Sequence, residues 1–359
     1  MVDKCDILVA GTGTFGERII FDIAVTADKP VKVAIGGRNR ARMEWLCLAA
    51  NSRAAIFGRP ATFSTLPIEW GSAETIAEAV AASEPDIVVQ AASVQSPSVI
   101  HTTDSAWGQL VKNGGLSVTA VFQSLLSERA ARAMRLAGNQ GAFINCCYPD
   151  VVNGILAARK VPITCGVGNV AILSNMFEGD LGIRQAGSLK VLAHYQCLGP
   201  WRLPATERSG TLARVWIDED EISDLYARFA HLKLTPEPVI DISGCTAVPI
   251  IYALLGHCDL LGHAPAPAGL PGGYPIAIKD RVMDLNLPAG LNRDDAIAWN
   301  RAFEEQSGIV VENDGKVVYC GTMRSEFAKL SPALAEGFHV DDLETVYGEM
   351  VELRSKLGG

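Results

Sequence analysis

The residues best suited to chemistry stand near the start of the chain. Gly11-Thr12-Gly13-Thr14-Phe15-Gly16 places three glycines in one short turn. Before it runs the apolar stretch Asp6-Ile7-Leu8-Val9-Ala10, and after it Glu17 to Ala24, whose apolar positions fall at helical spacing. Strand, glycine turn and helix in that order form the arrangement that binds a dinucleotide pyrophosphate. Gly11 permits the tight turn, and Gly13 lets the backbone approach phosphate without a Cβ in the way. Gly16 lets the helix lie close to the strand, so that its first N–H groups face the anion.

A second apolar run, Val31-Lys32-Val33-Ala34-Ile35, leads into Gly36-Gly37-Arg38-Asn39-Arg40-Ala41-Arg42. An NAD site ordinarily carries Asp or Glu here to grip the ribose 2′-hydroxyl. No carboxylate is present, and three arginines can meet a 2′-phosphate. Arg38 leads them, since a guanidinium both forks onto phosphate oxygens and stacks on adenine. The same residues also fit a solvated basic start to the next helix. The pattern favours NADP(H), with Gly37, Arg38 and Asn39 at its adenosine end. Ala91, Ala92 and Ser93, closing the apolar run from Pro85, are small enough for the nicotinamide ribose to lie against the backbone.

Hydride transfer also needs a group that gives or takes a proton. Tyr148 and Asp150 follow the apolar run Ala142–Cys147 directly, at the exit from the nucleotide half. Tyr-Pro-Asp is equally ordinary turn chemistry, with Asp150 capping the next helix. His194 and Tyr195 end an expected strand over Leu189–Cys197, where a histidine would suit proton transfer or be structural. His257 reads either as catalytic or as a cap on the helix Val248–Leu255. Asn153 and Asn169 could orient a substrate carbonyl or carboxylate. In Gly269-Leu270-Pro271-Gly272-Gly273-Tyr274-Pro275 the paired glycines can turn N–H groups toward a carboxylate, with Tyr274 as a further donor. A plain surface loop is the competing reading. Lys279 and Arg281 could strengthen the anion site or stand exposed on a strand.

Other chemistries fit less well. No tyrosine has a lysine four positions later, which removes the Tyr-x-x-x-Lys dehydrogenases. Cys146, Cys147 and Cys165 leave open an acylating aldehyde dehydrogenase with a cysteine nucleophile. The nine cysteines are scattered and show no C-x-x-C, and the six histidines form no ligand pair. Free thiols in a reducing cytoplasm and no metal are therefore expected.

These side chains need a scaffold, and 359 residues at 48% hydrophobic can bury a large core in two domains. The net charge of −9 argues against nucleic acid. No run of 18 apolar residues exists, so no membrane span is expected. The first strand begins too early to leave room for a signal peptide. Alternating patterns predict a doubly wound α/β Rossmann domain over 1–149: helices at 40–50, 73–82 and 116–137, and strands within 61–70, 85–92 and 142–147. An α+β substrate domain is expected over 150–335, with strands at 213–217, 239–242 and 276–287 and loops at 235–238 and 263–275. Asn313-Asp314-Gly315 marks a hairpin. The segment 336–359, with a helix over 341–357, is expected to pack back on the first domain.

Strand–GTGTFG–helix followed by Ile35-Gly36-Gly37-Arg38-Asn39 resembles the NADP-binding half of the saccharopine dehydrogenase-like oxidoreductases, over residues 1–150. The resemblance implies a Rossmann domain, a substrate domain with an open sheet, and homodimerisation through that sheet. It also implies pyridine-nucleotide chemistry at a carbon bearing nitrogen or oxygen, on amino-acid-like substrates. The expected activity is an NADPH-dependent reductase or dehydrogenase acting on a C=N or C=O carbon of a small carboxylate. A non-catalytic NADP(H)-binding sensor or interaction protein is the alternative from another class.

Overall fold

The computed structural model describes residues 4–96, 99, 104–234 and 239–359. The loop expected at 235–238 lies outside them. The chain opens with β1 (Ile7–Ala10), α1 (Thr14–Thr26), β2 (Val31–Gly37), α2 (Arg40–Ile56), β3 (Ala61–Pro67), α3 (Ala73–Ser83) and β4 (Ile87–Gln90). It continues through α4 (Ala106–Gly114), α5 (Ala120–Leu136), β5 (Ala142–Asn145), α6 (Pro149–Ala158), β6 (Cys165–Gly166) and α7 (Val170–Leu181). The six strands form one parallel sheet in the order β3-β2-β1-β4-β5-β6. This is an α/β fold with an N-terminal Rossmann-like domain.

The apolar strands are buried on both faces, which is why they read as continuous hydrophobic runs. Alternate side chains feed two different cores. Ile7, Val9, Val33, Ile35 and Val89 meet Ile19, Ile23 and Leu46 of α1 and α2. Leu8, Ala34, Val88 and Phe143 face Val80 of α3, Val121 and Met134 of α5, and Trp107 of α4. Because β4 returns to the other side of β1, the C-terminal ends of β1 and β4 diverge into a crevice.

The second half is built from β7 (Leu189–Leu192), β8 (Arg214–Ile217), β9 (Asp220–Glu221), α8 (Leu225–Arg228), α9 (Val239–Ser243), α10 (Ala247–Leu254), β10 (Leu260–Pro265), β11 (Gly273–Lys279) and β12 (Val282–Leu285). After α11 (Arg293–Arg301) and α12 (Glu304–Ser307) come β13 (Ile309–Val311), β14 (Lys316–Tyr319), α13 (Gly321–Leu330), α14 (Pro332–Ala335), β15 (Phe338–His339) and α15 (Leu343–Lys356). Its strands pair antiparallel as β7-β8-β9, β10-β11-β12 and β13-β14-β15. The hairpin at Asn313-Asp314-Gly315 forms, with Gly315 at φ 95°.

Five expectations need correction. Residues 239–242 are helical, because a four-residue apolar run has no period long enough to separate strand from buried helix. The strand expected over 189–197 stops at Leu192, and Tyr195–Arg202 is a 3₁₀ helix. The loop at 263–275 instead carries the ends of β10 and β11, and 276–287 folds back at Asp280-Arg281, both at positive φ. The helix expected over 116–137 splits into a 3₁₀ turn, Leu116–Thr119, and α5.

Candidate functional site

A cleft of about 590 Å³ opens at the crevice between β1 and β4. Eleven of the twelve residues expected at a dinucleotide site line it, among them Gly11, Thr12, Gly13, Thr14, Phe15 and Asn39. Gly11 holds φ 137°, and a Cβ there would come within 2.7 Å of the Ala91–Ala92 backbone. Only glycine can sit there without strain. Gly16, the twelfth, closes helix onto strand: its Cβ would meet the Gly11 carbonyl oxygen at 2.4 Å. Gly13 is the opposite case, with no protein atom within 4 Å of where a Cβ would stand. It is the N-cap of α1 and supplies no side-chain cap, so the first N–H groups of the helix remain available to an anion. This cradle fits a pyrophosphate.

The three arginines behave differently. Arg40 pairs with Glu44 at 2.8 Å, and Arg42 binds Glu17 at 2.8 Å and the Thr12 carbonyl at 3.3 Å. Arg38 is exposed at the cleft edge beside Gly37, and among the described residues no ion pair or hydrogen bond engages its side chain. Asn39 spends its Oδ1 capping α2 through Arg42 N. Ser93 donates to Gln95 O at 2.9 Å, fixing the loop that carries Ala91 and Ala92. Trp70, Gln123, Leu126 and Ile240 complete the walls. None was legible in sequence, because each lies on an element that only the sheet order brings to β1.

A wider groove of about 850 Å³ lies at the opposite, N-terminal ends of β4 and β5. Its polar groups satisfy one another: Asn139 donates to Pro85 O and accepts from Gly141 N, both at 2.9 Å. Its glycines, Gly138 and Gly141, lie beyond the C-terminal end of α5, where the helix dipole disfavours an anion.

The four proton-transfer candidates and Asn169 form one cluster. Tyr148 Oη lies 2.9 Å from both Ser117 Oγ and Tyr195 Oη. Asn169 Nδ2 donates to Asp150 Oδ2, and Tyr195 stacks obliquely on His194, their ring centres 4.5 Å apart. Asp150 is the second residue of α6; the cap position is Tyr148, at φ 44° and ψ 60°. That corrects the capping alternative. Burial pushes the Asp150 carboxyl up to about 7, against the opposing pull of the Asn169 hydrogen bond and of the nearby backbone of Asp150 and Tyr195. Burial holds His194 down at about 3, and its Nδ1 accepts from Gln196 N at 3.3 Å. His194 is therefore a neutral packing group, stacked on Phe303 at 5.4 Å. Both tyrosine hydroxyls are pushed up by burial. Ser117 is the member that sequence reasoning missed.

The remaining substrate candidates are placed elsewhere. Asn153 is fully buried, accepting from Asn145 at 2.8 Å and donating to Ala266 O at 3.1 Å. Gly273 N donates to Ala193 O at 2.7 Å, so that N–H is committed to strand pairing. Gly272, at φ 68°, packs against Asn300. Tyr274 is completely buried and donates to Pro271 O at 2.6 Å. His257 stacks on Tyr252 beyond the end of α10. Arg281 reaches Leu254 O, on the far side of the sheet from the cradle.

Cys146 and Cys147 line the cleft. Burial raises both thiols, Cys147 to about 12, as it does Cys165. A nucleophilic cysteine needs the opposite shift. Among the described residues, no group of three or more His, Cys, Asp or Glu could hold a metal ion. None of their helices is long and apolar enough to cross a membrane.

No protein-family model and no curated protein sequence matches the chain. Solved structures do. Lactate dehydrogenase from Eimeria maxima, with NADH and oxamate, is 11% identical at a TM-score of 0.50, over 85% of this chain and 94% of that one. The Bacillus subtilis protein lplD, named as a candidate glucosidase, is 14% identical at 0.53, over 97% and 100%. Malate dehydrogenase from Cryptosporidium parvum is 14% identical at 0.48, over 85% and 98%. The likeness spans both halves of the chain and corrects the saccharopine dehydrogenase-like assignment. That assignment rested on a strand–turn–helix common to many nucleotide-binding domains, and the fold of the second half is what separates them.

Proposed function

We propose that this protein is a pyridine-dinucleotide-dependent oxidoreductase that interconverts a carbonyl and an alcohol on a small carboxylate. The observation that carries the reading is the cradle: Gly11 and Gly16 sit where no Cβ fits, and Gly13, at the start of α1 in the cleft, leaves open space for an anion at the helix N terminus. Gly11, Gly13 and the first turn of α1 would hold the pyrophosphate, and Ala91 and Ala92 the nicotinamide ribose. A bound reduced pyridine dinucleotide supplies a hydride to an electrophilic carbon. The chain itself supplies position, exclusion of water and the proton, from the cluster that begins one residue after Cys147. The lactate dehydrogenase fold, solved with NADH and oxamate, supports a substrate in which carbonyl and carboxylate are neighbours.

The finer reading is NADP(H). That neighbour carries NADH, so the preference rests on Arg38, the one arginine of its group left without an acidic partner. A charged hydrogen bond contributes about 1.5–3 kcal/mol, roughly ten- to a hundredfold in affinity. Titration followed by nicotinamide fluorescence should show NADPH binding tighter than NADH by that factor, with Arg38→Ala removing most of the difference. Binding of neither dinucleotide would overturn the proposal; equal binding would remove only the 2′-phosphate assignment.

A further inference from the structure

Asp150 lies where the N termini of α6 and α7 meet. Asn169, immediately before α7, donates to Oδ2, and the other oxygen, Oδ1, is buried with no hydrogen-bond partner among the described residues. The residue is 5% exposed. An unmatched buried acceptor costs on the order of 1–3 kcal/mol. The backbone on both sides is strained as well. Tyr148 stands at φ 44°, and Asn169 at φ 47° and ψ −105°, conformations that non-glycine residues rarely adopt. Each costs about 1–3 kcal/mol. What sets this orphaned oxygen apart is that it lies between two residues at positive φ and at two helix N termini, a combination that suits a ligand more than packing.

The surroundings define what would bind there. The ionisable groups facing Asp150 are Tyr148 of α6 and Tyr195 and Cys197 of the 3₁₀ helix, with His194 beside them; Asn169 is neutral. No charged side chain enters the causes of its shift, which is burial. A carboxylic acid and two helix N termini together favour an oxygen that accepts a hydrogen bond and gains negative charge as it reacts.

We propose that Asp150 is the proton donor to the reacting oxygen of a carbonyl substrate, with Asn169 as the residue that positions its carboxyl. The assignment rests on the dinucleotide reading above. In reduction the carbonyl carbon gains the hydride, and the C=O π pair takes the proton as the Asp150 Oδ1–H bond breaks. The carboxylate left behind is reprotonated from solvent. Oxidation of the alcohol runs the same steps in reverse.

The test separates the two layers. Dinucleotide binding is measured first, by nicotinamide fluorescence, for the full-length protein and for Asp150→Asn and Asn169→Gly. Its absence from the unaltered protein defeats the underlying reading. Oxamate, whose amide carbonyl stands in for the substrate, is then titrated into the loaded protein by calorimetry between pH 5.5 and 8.5. His194, at about 3, and the raised tyrosines do not titrate in that range. Oxamate affinity should be level at low pH and fall about tenfold per unit above neutrality. Asp150→Asn, which still donates through its amide, should hold its affinity within about twofold throughout. Asn169→Gly should move the midpoint of the fall to higher pH, because the carboxylate loses a hydrogen bond that favours its charged form. Failure of oxamate to bind the loaded protein, a level profile in the unaltered protein, or an unmoved midpoint in Asn169→Gly overturns the assignment. If Asp150→Asn does not fold, the Asn169→Gly midpoint decides alone.

Discussion

At the scale of single residues, burial decides what each titratable group can do. Asp150 and His194 lie in one cluster, yet their proton affinities move in opposite senses, because burial disfavours the charged form of each. The stability consequences are also opposite. Asp150 is raised from 3.8 to about 7, so the folded protein holds a proton that the unfolded chain releases. That contribution is complete below about pH 4 and is lost as the pH rises through 7. His194 is lowered from 6.5 to about 3, so its contribution is complete above about 6.5 and is lost as the pH falls toward 3. Asp150→Asn should therefore gain on the unaltered protein as the pH rises from 4 to 7, by up to about 1.4 kcal/mol per unit. Urea midpoints at pH 5 and 7.5 check this; a constant difference between the two proteins would contradict it. The residue types were legible in sequence. Their burial was not, since Asp150 is covered by Asn169 and Tyr195, distant in the chain.

At the scale of elements, the turn between β1 and α1 divides its three glycines between folding and binding. A Cβ at Gly16 strikes the Gly11 carbonyl, so Gly16→Ala must push α1 off the sheet, at about 1–3 kcal/mol of overpacking. A Cβ at Gly13 strikes nothing in the protein. Gly13→Ala should leave the thermal midpoint nearly unchanged while dinucleotide affinity falls at least tenfold. Gly16→Ala should lower both. Thermal melts with and without NADPH distinguish the variants, and equal loss of stability in both would refute the division of roles. This turn could be read from sequence because the spacing of its glycines is local, with Gly16 closing onto Gly11 five residues away, although Gly11 is also held against Ala91 and Ala92 of the β4 end. The segments 189–197 and 239–242 misled because their apolar residues obey tertiary burial rather than a period of their own. Val191 packs into the core of the second half, and α9 closes the cleft with Ile240.

At the scale of the whole molecule, the last helix is held to α5. Arg129 forms a two-pronged pair with Glu344 at 2.6 and 2.8 Å, Arg354 lies 4.7 Å over the Phe122 ring, and Trp107 N donates to Leu357 O at 3.1 Å. Beneath this, Glu128 of α5 is 2% exposed and pairs with Arg159 of α6 at 3.0 Å. Arg159 in turn binds Asp341, so one buried carboxylate ties α5, α6 and the approach to α15 together. Glu128→Gln removes the buried carboxylate from Arg159, which keeps Asp341, and should cost about 1.5–3 kcal/mol, the worth of a charged hydrogen bond. Chemical denaturation is the measurement; a loss below about 1 kcal/mol would show the pair to be replaceable by water. Because α5 also lines the cleft through Gln123 and Leu126, dinucleotide affinity should weaken in the same variant.

The chain order of residues was enough for the Rossmann pattern, the glycine cradle, the arginines beside it and the small residues after β4. Each is signalled by residue types a few positions apart and by strand runs apolar enough to be buried on both faces. Only the folded structure could say that Arg40 and Arg42 are spoken for while Arg38 is not, or that Gly273 and Tyr274 serve packing. It alone brings Ser117, Tyr148, Asp150, Asn169 and Tyr195 together across 79 positions of chain, counted from Ser117 to Tyr195. Proton affinity and hydrogen-bond satisfaction are properties of a surrounding volume, and that volume is assembled from elements whose distance along the chain carries no record of their meeting.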